Sequence, residues 1–172
     1  MATLKKKICM LGDFGVGKTS LIRRFVERSF TDEYLSTVGV KISRKTMDTP
    51  DLAEAVDLLI WDIEGQTKFK AVAPSYLQGA AAVVIVGDVT RPETIQHFQD
   101  HIELFYHASP KGKVILALNK TDLIEPDVSQ KLEEFLRGAI SNVLEVYQTS
   151  AKTSKNVDLI FERLAKELII TS

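Results

Sequence analysis

Residues 12–19 read GDFGVGKT, so that Gly12, Gly17, Lys18 and Thr19 satisfy the pattern glycine, four residues, glycine, lysine, then serine or threonine. A glycine-rich loop between a strand and a helix turns several backbone N–H groups toward one point, where the helix N-terminus adds partial positive charge. The chemistry that suits such a point is a phosphate chain. Gly15, Val16, Gly17, Lys18, Thr19 and Ser20 form the cradle, Lys18 brings a mobile charge to the β and γ phosphates, and Thr19 offers a hydroxyl to Mg²⁺. Apolar Ile8, Met10 and Leu11 precede the loop and the helical pattern TSLIRRFVER follows it, which is the context the motif requires. At ordinary glycine usage a random chain of this length shows the pattern on the order of once in a hundred cases or fewer.

Two further segments carry chemistry. NKTD at 119–122 directly follows the apolar run KVILAL, and TSAK at 149–152 directly follows LEVYQ. Ligands of open α/β sheets gather outside the carboxyl ends of the strands, so both loops are placed to join the phosphate loop at one site. Asp122 has a task there: its two oxygens match the N1 and N2 hydrogens of guanine, a donor pair that adenine lacks. A site built on such bonds discriminates by about 10⁴ or more, because the wrong base leaves a carboxylate unpaired.

The elements that position these residues alternate short apolar runs with longer segments of helical period: 5–11, 18–28, 38–47, 56–63, 68–78, 81–88, 92–107, 113–119, 128–140, 143–148 and 156–170. This is an α/β pattern. AAVVIVGD and KVILALN are apolar throughout, as strands covered on both faces are. Residues 48–55 are too short for a crossover helix, so 38–47 and 56–63 are expected to pair antiparallel. Pro92 suits a first helical turn, and Val157, Ile160, Phe161, Leu164 and Leu168 make one apolar stripe.

The 172 residues, 45% hydrophobic and 26% charged, predict one domain. A net charge of −1 gives no electrostatic reason to expect nucleic acid or an anionic membrane as partner. The lone Cys9 has no internal disulfide partner and fits a reducing cytoplasmic setting. No stretch approaches the roughly 18 apolar residues of a membrane span. MATLKKK lacks a signal core, Ala2 excludes N-myristoylation, and ELIITS carries no cysteine for prenylation, so no membrane anchor is expected.

With these motifs the chain resembles the small GTPases of the Ras superfamily, nearest the Rab branch, over essentially its full length. STVGV at 36–40, WDIEGQ at 61–66, APSYLQGA at 73–80, GDVT at 87–90, NKTDL at 119–123 and TSAKTSKNV at 149–157 occur in that family's order and spacing. The stretch VGVKISRK also resembles Ras-like GTPases of prokaryotes, which often lack a lipidated tail. The resemblance implies an α/β P-loop NTPase G domain over 1–172, with a six-stranded, mostly parallel sheet, one antiparallel strand and helices on both faces. It implies GTP or GDP with Mg²⁺ as ligands, and slow hydrolysis of GTP to GDP. Asn119 braces the guanine pocket, Lys120 lies over the base, Asp122 reads it, and Ser150, Ala151 and Lys152 close its far side. Phe30 matches an aromatic that packs on the base, with a core aromatic as the alternative reading of that residue. Thr37 and Asp62 join Thr19 around the metal, Gly65 donates its N–H to the γ phosphate beside Lys18, and Gln66 orients the attacking water. Ile42, Trp61 and Tyr76 match a hydrophobic patch for protein effectors, with Ile42 in place of the usual Phe. Exchange factors and GTPase-activating proteins are the regulators implied, a monomer is expected, and any membrane association is peripheral, through partners.

Phe14 fills a loop position commonly held by Gly, Ser or Ala in that family, near the γ phosphate and the path of an incoming arginine. Glu64 replaces a small alanine, and Thr67 replaces a glutamate that often helps exchange factors. His97 and His101, four apart, read as a solvated helix face rather than a metal pair, since no zinc motif surrounds them. Three functions remain in view: a hydrolysing switch, a GTP-binding interaction module with little hydrolysis, and an ATP-using phosphoryl transferase, which explains neither NKTD nor TSAK.

Overall fold

The computed structural model describes residues 3–31, 39–48, 50–65 and 72–172. Six strands, β1 (Thr3–Gly12), β2 (Val40–Met47), β3 (Ala55–Ile63), β4 (Ala82–Asp88), β5 (Lys113–Asn119) and β6 (Glu145–Gln148), form one sheet in the order β2-β3-β1-β4-β5-β6. β2 runs antiparallel to β3, as its short link predicts, and the other neighbouring pairs are parallel. Among the described residues the α-helices are α1 (Lys18–Glu27), α2 (Pro92–Gln96), α3 (Phe98–Ala108), α4 (Pro126–Ala139) and α5 (Val157–Ile170).

Alternation along the central strands sends neighbouring side chains to opposite faces. Ile8, Met10, Val84, Val86, Ile115 and Ala117 enter one core with Phe25 of α1 and the α5 stripe. Cys9, Leu11, Val83, Ile85, Leu116 and Leu118 enter the other, with Phe98, Ile102 and Phe105 of α3 and Leu136 of α4. Every residue of β4 is buried, which is why its sequence shows no polar alternation. Phe25 and Phe161 stack with centroids 4.1 Å apart and fasten α1 to α5.

This arrangement brings the carboxyl ends of β1, β4, β5 and β6 to one edge: Gly12 pairs with Val86, Asp88 with Asn119, and Leu118 with Gln148. From β1 the chain passes through α1 to β2 and β3 on one side of β1, and β4 to β6 then build the other side, so the crevice above Gly12 is a topological switch point.

Two segments differ from their sequence patterns. The run 92–107 is broken at His97, whose φ of −82° and ψ of −3° leave the α-helical region between α2 and α3. Within 68–78 the described part holds only a 3₁₀ turn, Pro74–Tyr76; Ala73 is extended at ψ 122°, as a residue before proline prefers. No helix among the described residues is long and apolar enough to cross a membrane.

Phe161→Ala removes a fully buried ring from the α1–α5 contact. We expect a loss of about 3–5 kcal/mol in urea unfolding at fixed GDP, with an unchanged denaturant slope.

Candidate functional site

The phosphate loop joins β1 to α1, and its last glycine is a steric requirement. Gly17 caps α1 at φ +103°, and a Cβ there would lie 2.4 Å from Asn119 Nδ2. Asn119, 1% exposed, donates from Nδ2 to the Val16 carbonyl at 3.0 Å, while its Oδ1 accepts from the Thr149 hydroxyl at 3.1 Å. Lys120, in a left-handed conformation, donates from Nζ to the Gly15 carbonyl at 3.0 Å and pairs with Asp88 at 2.8 Å. Burial raises the Asp88 carboxyl, but hydrogen bonds from Lys120 and Thr90 outweigh it and hold the group below the ordinary carboxylate value. The loop predicted to hold phosphates is thereby tied at two carbonyls to the loop predicted to hold the base.

The base-side loops are tied to each other. The Thr121 N–H donates to the Thr149 carbonyl at 3.2 Å, and the Ser150 hydroxyl donates to Asp122 Oδ1 at 2.8 Å. Asp122 is otherwise exposed, with its carboxylate available to a ligand. The carbonyls of Ala151 and Lys152 accept from Arg24 of α1 at 2.7 and 2.9 Å. Phe30 is half-buried and packs against the core cluster beneath α1 and α5.

Lys18 is 6% exposed, and its Nζ donates to the Gly12 and Asp13 carbonyls, each at 3.1 Å. Burial pushes its ammonium down to about 8, against the pull of Asp62 and Asp13 and with a small push from Arg91. Beside it the Thr19 hydroxyl donates to Asp62 Oδ2 at 2.6 Å, and Asp62 is 1% exposed. A hydroxyl and a carboxylate oxygen are the hard donors Mg²⁺ takes alongside phosphate oxygens, so this pair fits the ion. Among the described residues no three His, Cys, Asp or Glu side chains are grouped to hold a metal by themselves.

Gly65 lies directly against the phosphate loop: a Cβ on it would stand 2.6 Å from Phe14 Cα and 2.8 Å from Phe14 N. Glu64 turns toward β2, accepting the Gly39 N–H at 3.2 Å and donating its own N–H to the Gly39 carbonyl at 2.7 Å. Thr37, Gln66 and Thr67 lie outside the described residues. Ile42, 52% exposed, pairs across the ladder with half-buried Trp61, and Trp61 and Tyr76 both lean on the α3-side core.

Periodicity missed one cluster entirely. His101 is not on a solvated face but 1% exposed, and His97 and His101 converge on Asp13 of the phosphate loop. Burial raises the Asp13 carboxyl, but the bonds from His101 and His97 outweigh it and hold it below the ordinary value. The four-residue spacing of the two histidines is the available signal; their partner, 84 and 88 residues away, is not visible in it.

Comparison with known proteins places this geometry. A family model described as Ras family matches residues 7–170. Human Ras-related protein Rab-22A is 37% identical over 98% of this chain and 86% of its own length. The dog Ras-related protein Rab-13 is 34% identical over 96% of this chain and 81% of its own, and the GTP-binding protein ypt5 of Schizosaccharomyces pombe is 36% identical over 98% and 80%. The chain belongs to the Ras family. Within the family it is Rab-like: a GTP-binding molecular switch and a GTPase, of a kind that binds GTP or GDP, typically with Mg²⁺. Nothing in these similarities favours a module without hydrolysis.

Lys18 yields a prediction about protons. A phosphate beside Nζ favours the charged ammonium and raises its pKa above about 8, so at pH 8.5 nucleotide binding takes up protons. GDP affinity then falls as pH rises past 8 by up to about tenfold per unit. Calorimetric titration at pH 8.5 in two buffers of different ionisation enthalpy should show the uptake; equal heats would contradict it.

Proposed function

We propose that this Ras-family chain works as one G domain over 1–172 in which a single guanine nucleotide bridges the phosphate loop and the NKTD and TSAK loops. The observation that carries this reading is the bonding of Asn119 and Lys120 to the Val16 and Gly15 carbonyls, because it sets base reader and phosphate cradle at fixed separation. Gly15, Val16, Gly17, Lys18, Thr19 and Ser20 hold the phosphates. Asn119, Lys120 and Asp122 hold the base, with Ser150, Ala151 and Lys152 behind it and Phe30 at its edge. Thr19, Thr37 and Asp62 are the protein's share of a Mg²⁺ site, and the ion, when bound, neutralises charge on the β and γ phosphates.

In this reading Gln66 orients water for attack in line with the leaving phosphate, while Lys18 and the Gly65 N–H meet the charge on the γ phosphoryl oxygens. Little covalent work falls to the protein, so positioning and electrostatics carry the rate. Contacts from Thr37 and Gly65 to one phosphate hold the segments 30–43 and 63–76 only while GTP is present, which makes them readable by a partner. Ile42, Trp61 and Tyr76 supply the surface for protein effectors, beside a hollow of about 130 Å³ lined by Gly39, Glu64, Gly65, Val72 and Tyr76. An exchange factor and a GTPase-activating protein set the timing. The protein acts as a monomer in the cytoplasm and reaches membranes through partners.

Purified protein preloaded with GTP and Mg²⁺ should convert it to GDP in a single turnover at a rate on the order of 10⁻⁴ s⁻¹. Gln66→Leu should slow the conversion about tenfold or more without loss of GTP binding. GTP intact after a day in the wild-type protein would establish a binding module instead.

A further inference from the structure

The phosphate loop is gripped from two sides. Asn119 and Lys120 hold its second half at Val16 and Gly15. The first half is held by the α2–α3 segment: His97 Nδ1 lies 2.5 Å from Asp13 Oδ2, His101 Nε2 2.9 Å from Asp13 Oδ1, and Arg91 Nη1 donates to the Phe14 carbonyl at 2.8 Å. Asp13 is 8% exposed, so its carboxylate oxygens depend on these rings. His101 Nδ1 is buried without a hydrogen-bond partner, which puts the ring proton on Nε2 and makes His101 a donor. One carboxylate thus accepts from two rings a helical turn apart, a geometry that fixes both the position and the rotation of the Asp13 side chain.

The same two residues face the reaction. The Asp13 carbonyl accepts from Lys18 Nζ, and Gly65 packs on the backbone of Phe14 so closely that it has no room for a Cβ. Movement at Asp13 and Phe14 therefore alters how Lys18 and Gly65 stand to each other. We propose that His97 and His101 are positioning residues for GTP hydrolysis, acting through Asp13 to hold the first half of the phosphate loop against Lys18 and Gly65. The inference rests on the reading that the γ phosphate is met by Lys18 and Gly65. It separates two jobs: the Asn119 side of the loop retains the nucleotide, and the histidine side sets the rate of its hydrolysis.

The test compares His97→Ala and His101→Leu with His97→Asn and His101→Gln, whose amides place a nitrogen where each ring nitrogen stands. His97 is half-exposed, so His97→Ala keeps the test open if His101→Leu folds poorly. In the GDP-bound protein, amide hydrogen exchange at 13–15 should quicken about tenfold in the first pair and return to within about twofold of wild type in the second. Single-turnover hydrolysis should slow about 10- to 100-fold in the first pair, with GDP dissociation changed less than about threefold. Unchanged exchange at 13–15 in both truncations overturns the clamp, and GDP loss that rises in step with the fall in hydrolysis overturns the division of labour. Wild-type protein that hydrolyses no GTP removes the rate-setting role along with the catalytic reading, whereas the exchange result decides the clamp by itself.

Discussion

A carboxamide at the end of β5, Asn119, is closed off from water and donates to one loop while accepting from another. The site's geometry depends on that arrangement. The Val16 carbonyl fixes the turn of the phosphate loop, the Thr149 hydroxyl fixes the start of the TSAK loop, and Gly17 leaves the space that a side chain would deny to the amide. Each buried partner left unsatisfied costs about 1–3 kcal/mol, so the three segments adopt one relative position rather than several. Lys120 adds a second tie, from the Gly15 carbonyl to the Asp88 carboxylate on β4. The carboxyl ends of β1, β4, β5 and β6 are thus joined across the switch point by polar bonds above and two apolar cores below.

A switch also needs parts that respond to the γ phosphate, and the segments proposed for that role border the other flank of the sheet. Segment 63–65 rests on the Phe14 backbone through a glycine, and Glu64 ties it to Gly39 at the start of β2 through two backbone-directed bonds. These contacts lie against the exposed edge strand, and the equilibrium between holding and releasing them is the one the γ phosphate is proposed to bias. A ligand shifts such an equilibrium only by its differential affinity for the two arrangements, and the γ phosphate is the part in which GTP and GDP differ. The Glu64 side chain takes part in this flank by accepting the Gly39 N–H.

Much of this could be read from the sequence, for a physical reason. The phosphate loop, NKTD and TSAK each work through backbone and side chains contiguous in the chain, so local spacing carries the geometry, and the structure brings their residues together. The unbroken apolar runs Ala82–Val86 of β4 and Val114–Leu118 of β5 announce strands covered on both faces, and the α5 stripe announces its buried side. Long-range partners were invisible. Nothing near His97 or His101 names Asp13, and an i, i+4 pair looks the same whether it faces water or a distant carboxylate. The break at His97 was hidden for a related reason, because helical period continues through a residue whose ψ does not. Within 68–78 the period suggests helix, whereas in the described part, from residue 72 on, Pro74 opens a single 3₁₀ turn.

The measurement that bears most directly on this construction is the rate of GDP release from Asn119→Ala, followed by displacement with excess unlabelled GDP at constant Mg²⁺. If the buried amide locks the phosphate loop to the base-reading loops, release quickens by about 10- to 1000-fold, the equivalent of one or two lost buried hydrogen bonds. Release within about twofold of the wild-type rate would contradict it and show that the loops hold their positions without Asn119.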